Sequence, residues 1–204
     1  MRIFFLTVTF LVSVTSAHAG VFNLPYFLQP GENALGLEPE VTFTNDGGVG
    51  GNLKYQHGVT DFSNVTAVLG SGTGVKKFRA GTSLTFDLIP DIDRQPGMGF
   101  ALSGIYYKYH YNSGNFGQMD VTATPYIHKA FYNGDGNQID PFFAFPFGPE
   151  FRSGNYNWAA TVVLGAKFKQ KDMKFHFVGE VGVSVNKAET YVSGGVIFYP
   201  NSTN

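Results

Sequence analysis

Along residues 76–90, KKFRAGTSLTFDLIP, apolar and polar side chains change places at every step. Phe78, Ala80, Thr82, Leu84, Phe86 and Leu88 fall on one parity, and Lys77, Arg79, Gly81, Ser83, Thr85 and Asp87 on the other. A period of two belongs to an extended chain, whose successive side chains point to opposite faces. The segment is therefore predicted to be a strand with one apolar and one polar face. It is longer than the roughly 5 to 6 residues usual in soluble sheets and long enough for the about 9 to 11 that cross a bilayer.

The same alternation recurs along the chain. In 35–44, Leu35, Leu37, Pro39, Val41 and Phe43 oppose Gly36, Glu38, Glu40, Thr42 and Thr44. In 155–170, Tyr156, Trp158, Ala160, Val162, Leu164, Ala166 and Phe168 oppose Asn157, Thr161, Gly165, Lys167 and Lys169. In 173–186, Met173, Phe175, Phe177, Val181, Val183 and Val185 oppose Lys174, His176, Glu180, Ser184 and Asn186. Weaker copies lie at 49–58, 62–70, 99–111, 118–132, 139–151 and 188–199. Of these, 99–111 sets Ile105, Tyr107, Tyr109 and Tyr111 against Lys108 and His110, and 118–132 sets Met119, Val121 and Ile127 against Gln118, Asp120 and His128. Residues 139–151 align Phe143, Phe145 and Phe147 but carry three prolines, each of which removes a ladder donor. Clusters such as NDGG (45–48), GSGTG (70–74), NSGNFG (112–117) and NGDGNQ (133–138) are hairpin turns, with no room for a crossover helix between them. The expected topology is an antiparallel meander of about ten strands, or eight if 62–70 and the proline-bearing segment fail to pair.

Two observations decide where the apolar faces go. The polar faces carry ionised groups at mid-strand, among them Glu40, Arg79, Asp87 and Glu180, next to small residues such as Gly81 and Gly165. The apolar faces carry aromatics toward their ends, as with Phe78 and Phe86 or Tyr156 and Phe168. Aromatic ends around an aliphatic band are what a bilayer interface selects, and a closed barrel leaves no strand edge unpaired in lipid. The expected fold is all-β, an antiparallel up-and-down transmembrane β-barrel. The alternative is a secreted, lipocalin-like soluble barrel with its apolar faces inside.

Composition agrees with export. Arg2 opens an apolar run, IFFLTVTFLVSV, that SAHAG closes with small residues, a signal-peptide pattern with cleavage after Ala19. Residues 1–19 are then a signal peptide and 20–204 a single barrel domain. The chain has no cysteine, so no disulfide framework holds it. Its 14 Lys and Arg nearly balance 15 Asp and Glu, leaving no basic field to attract nucleic acid. Charged residues reach only 14% against a usual quarter.

With the export signal, the meander over 34–199 and the terminal GGVIFY, the chain resembles the small outer-membrane β-barrels of diderm bacteria. The resemblance implies a place in the bacterial outer membrane among its lipids and lipopolysaccharide. It also implies a C-terminal strand signal, Gly194, Ile197 and Tyr199, read by the barrel-assembly machinery. PNSTN after Tyr199 departs from members that stop on the aromatic. The expected function is a structural role or a narrow pore for small solutes. Lipid-modifying chemistry and surface recognition are the alternatives, and connections of no more than about ten residues speak against the latter.

The candidate lumen residues are Glu38, Glu40, Lys54, Arg79, Asp87, Lys167, His176 and Glu180, with Lys77, Lys108, His110, Asp120, His128, Asp140, Lys169 and Lys174 also expected inside. Barrels of about 8 strands are filled by side chains, and open channels need about 16 or more. Ten strands predict an ion-paired plug or a narrow constriction, with Glu38, Glu40 and Arg79 at its centre. Acid–base chemistry would need a dyad, and the candidates are His176 with Glu180, His128 with Asp120, and His110. Four residues along one strand place the first pair about 13 Å apart, too far for a direct bond. No catalytic residue, metal or cofactor is expected. GSGTGVKK lacks the lysine spacing and following helix of a phosphate loop, and NGDGNQID lacks the bidentate glutamate of an EF-hand.

Overall fold

The computed structural model describes residues 27–43, 47–111, 114–152 and 154–200. The expected export signal, 1–19, lies outside the described residues. The strands are β1 (Asn33–Thr42), β2 (Gly48–Thr60), β3 (Ser63–Gly72), β4 (Lys76–Ile89), β5 (Gly97–Tyr111), β6 (Gly114–His128), β7 (Phe131–Tyr132), β8 (Gln138–Ala144), β9 (Phe147–Arg152), β10 (Asn155–Lys169), β11 (Phe175–Asn186) and β12 (Tyr191–Phe198). Neighbours from β1 through β6 pair antiparallel, β6 pairs with β8 and β9 and these with β10, β10 pairs β11, β11 pairs β12, and β12 returns to β1, so the sheet closes on itself.

Ten staves make the barrel, because β8 and β9 are two halves of one. The proline-bearing segment does pair: Val163 faces Ala144 and Ala160 faces Phe147 in one unbroken register against β10, and Tyr126 faces Ala144 and Ala123 faces Phe147 against β6. Pro146 leaves a gap in the ladder for want of an N–H. The neighbouring bonds close around it, Phe145 N–H donating to the Pro125 carbonyl (3.0 Å) and Thr161 N–H to the Pro146 carbonyl (3.0 Å). β7 prolongs β6 beyond the barrel as a short hairpin with β8.

The alternation in sequence becomes an inversion of faces. Leu37, Leu53, Leu69, Leu84, Leu102, Val121, Leu164 and Val181 stand on the outer surface. They meet in register, Leu37 with Leu53, Leu53 with Leu69, Leu84 with Leu102 and Leu164 with Val181, as a continuous aliphatic band. Exposed aromatics flank the band: Phe43, Phe78, Tyr106, Tyr156 and Trp158 toward one mouth, and Phe62, Phe131, Phe168, Phe175 and Phe177 toward the other. Glu38, Glu40, Asn52, Lys54, Arg79, Thr85, Asp120 and Lys167 are buried in the interior. A lipocalin-like soluble barrel would have these faces reversed. The mouth where β1 starts and β12 ends is called the terminal mouth, and the opposite one the distal mouth. All distal connections are short, whereas 90–96 and the β7 hairpin stand at the terminal mouth.

Inward glycines make room for large side chains. A Cβ at Gly165 would collide with the Phe142 ring, one at Gly99 with Tyr126, and one at Gly182 with Tyr191. Small and large residues on neighbouring staves thus interlock across the interior, as close packing demands.

Candidate functional site

The lumen holds its charges in pairs. At mid-height Glu38 on β1 takes the Lys54 ammonium from β2 at 2.7 Å. The same carboxylate accepts the Asn52 amide N–H at 3.2 Å and the Ser193 hydroxyl from β12 at 2.9 Å. A two-residue step along β1 carries Glu40 toward the distal mouth, where it binds the Arg79 guanidinium of β4 at 3.0 Å, both groups buried. Beside that pair lies a cavity of about 20 Å³ lined by Glu40, Thr42, Lys76 and Arg79, room for roughly one water. Lys76 reaches Glu189 in the β11–β12 connection, and the Gln118 amide donates to Asp120 at 2.8 Å.

Toward the terminal mouth Asp140 on β8 joins two bases, His128 Nδ1 at 3.1 Å and Lys167 Nζ at 3.5 Å. Glu180 accepts the Tyr191 hydroxyl at 2.9 Å, and the His176 ring lies against Tyr199 with centroids 4.4 Å apart. Asp87 is half-buried on the inner face near this mouth. Charges withdrawn from water in this way persist only when paired and hydrogen-bonded, which accounts for the density of contacts.

Glu38, Glu40, Lys54, Arg79, Lys167, His176 and Glu180 are therefore all buried on the inner wall, in separate clusters at different heights. Other expectations require correction. Lys77, Lys108, His110 and Lys174 are exposed, and Lys169 is half-buried at a strand end. On β5 the outward parity is set by Leu102 and Tyr106, so Tyr107 and Tyr109 turn inward and Lys108 and His110 outward. The polar pair sits beyond the aliphatic band, where His110 meets Asn115 at 2.5 Å. The tyrosines instead stack at the distal mouth, Tyr109 on Phe116 at 4.9 Å and Tyr111 on Phe116 at 5.3 Å, with the Arg152 guanidinium 3.5 Å above the Phe116 ring.

Of the candidate dyad histidines, His128 binds Asp140 across β6 and β8, His176 packs on Tyr199, and His110 lies outside. Among the described residues no group of three or more His, Asp or Glu side chains is placed to hold a metal. Of the residues expected to form a C-terminal strand signal, Ile197 and Tyr199 face inward, while the intervening Phe198 faces out and packs on Phe175. Sequence reading missed Glu150, which faces Asp120 across β6 and β9, and Glu189. The alternation of Phe147 and Phe151 with Gly148 and Glu150 carried the first. Glu189 lies in a connection, where no period applies.

The sequence matches no protein-family model and no curated protein. Among solved structures the chain is similar to the KdgM porin, with a TM-score of 0.39 and 12% identity over 84% of this chain and 99% of that one. The architecture is a closed antiparallel barrel of ten staves, with an apolar outer band between aromatic girdles and a polar interior.

Proposed function

We propose that this chain is an integral outer-membrane β-barrel of a diderm bacterium, surrounded by lipid and lipopolysaccharide, whose polar lumen is a narrow path for small solutes. The reading rests on the inversion of the two faces, leucine and valine outside and paired Glu, Lys and Arg inside. Paired ionised groups at several heights of the inner wall suit water and small polar solutes, and ten staves fix the bore well below that of the general porins. The barrel-assembly machinery would read its C-terminal strand. A non-conducting, envelope-stabilising barrel is the second reading, favoured by the near-complete burial of Glu38, Arg79 and Lys167.

Planar-bilayer conductance of the refolded mature chain, on protein shown by heat-modifiable mobility to be folded, separates the two. The pore reading expects small discrete steps whose size or ion preference changes in Glu40→Gln or Arg79→Gln. Silence from folded protein would sink it and leave the structural role.

A further inference from the structure

On the terminal side of the lumen an apolar cluster stands beside the Asp140, His128 and Lys167 group. Ala101, Tyr126, Phe142, Ala144, Val163 and Val178 form a buried apolar cluster inside the barrel, against which Phe27 packs. Ala34, Ile197 and Tyr199 form another with Leu28, which is fully buried. A water-filled bore has no use for an apolar wall, since exposing it to water is unfavourable in proportion to its area. Phe27 packs against this one, and Leu28 joins its neighbour.

Their path follows from local chemistry. At Pro30 and Gly31 the chain reverses, Gly31 adopting φ +84°, with the Glu32 N–H donating to the Gln29 carbonyl at 2.9 Å and the Gln29 N–H to Glu32 Oε2 at 3.0 Å. The reversal sends 27–29 back into the barrel mouth. The loop is tied to β2, Gly31 N–H to the Gly58 carbonyl (2.9 Å) and Gly58 N–H to the Glu32 carbonyl (3.0 Å), and to β3 by the Leu28 N–H on Asn64 Oδ1 (3.3 Å). Gly58 is where the approach is closest: a Cβ there would lie 2.8 Å from the Leu28 carbonyl and closer still to that of Gln29.

We infer that residues 27–32 are a built-in latch, with Phe27 and Leu28 stoppering the terminal side of the lumen and their withdrawal opening an apolar-walled vestibule behind the mouth. The segment sits outside every strand ladder and is held by two apolar side chains and a few bonds, so it opens without breaking the barrel. The latch supplies a regulation for the proposed path and is tested without needing conduction.

The chain has no cysteine, so Ala144→Cys places a single thiol in the cluster that Phe27 packs against. The measurement is the rate at which a water-soluble maleimide labels this thiol in barrels refolded into phosphatidylcholine vesicles, each checked for heat-modifiable mobility. Adding Phe27→Ser with Leu28→Ser should speed labelling by at least about tenfold, and so should Gly58→Val, which displaces the segment by a different route. Equal rates in folded variants, or a barrel that does not form once the segment is disturbed by either route, would overturn the latch. Faster labelling with silent bilayers would keep the latch and sink the pore reading; faster labelling with larger or more frequent steps would support both.

Discussion

Arg79 shows what a single residue in this lumen depends on. Its guanidinium is buried against Glu40, and Gly70 leaves space for its side chain beside Asn52. Glu40→Gln strands that charge and should cost about 3 to 5 kcal/mol of unfolding free energy in urea titrations from lipid vesicles, whereas Glu40→Gln combined with Arg79→Met should recover most of it. A loss under about 1 kcal/mol in the single variant would mean water already solvates the pair. On the other face, Leu84 meets Leu102 and Val65 within the aliphatic band. Leu84→Lys should cost about 2 to 4 kcal/mol in the same assay, and Phe78→Lys, near the distal girdle, about 0 to 1. Equal costs at the two positions would contradict the depths assigned to them.

At the scale of elements, legibility in the sequence tracked how strictly a period of two was kept. β1, β10 and β11 alternate cleanly, and their buried charges could be read off directly, whereas the register shift between Lys76 and Phe78 in β4 leaves Lys77 exposed against its parity. β5 could not, because Tyr106 to Tyr109 interleaves amphipathic rings with long bases, and either parity serves near a membrane surface where tyrosine suits both water and lipid. The stave made of β8 and β9 carries prolines that argue against a strand, yet Pro146 falls at one gap and its neighbours mend the ladder. Pairings between staves, such as Glu40 with Arg79 or Asp140 with Lys167, depend on register and stagger, which a single strand's sequence does not contain. The 90–96 connection is fastened in another way. Asp91 takes the Lys129 ammonium and the Ala130 N–H, the latter at 2.6 Å, while Lys129 also donates to the carbonyls of Asp93 and Gln95. Burial pushes the Asp91 carboxyl up, but these donors outweigh it and hold it below the ordinary carboxylate range. A depressed value means that the fastening is present above the unfolded value near about 3.9 and is lost as pH falls through the folded one. The protection factor of the Ala130 amide should therefore hold from neutral pH to about 4 and fall below it, and Asp91→Asn should lower it at neutral pH. Protection unchanged in Asp91→Asn would show that the connection is held by its backbone alone.

For the whole molecule, the central claim is that the barrel's outer face lies in lipid, and the protein carries its own probe. Trp158, the single tryptophan, stands on the outer face of β10, 54% exposed, between Tyr156 and the aliphatic band. A girdle residue in a bilayer sits at headgroup depth with its ring shielded from bulk water. Trp158 emission from the refolded chain should be blue-shifted in vesicles, quenched by lipids brominated high on the acyl chain more than by lipids brominated near its end, and insensitive to iodide. Emission at the wavelength of a water-exposed indole, quenched by iodide and indifferent to brominated lipid, would contradict the account.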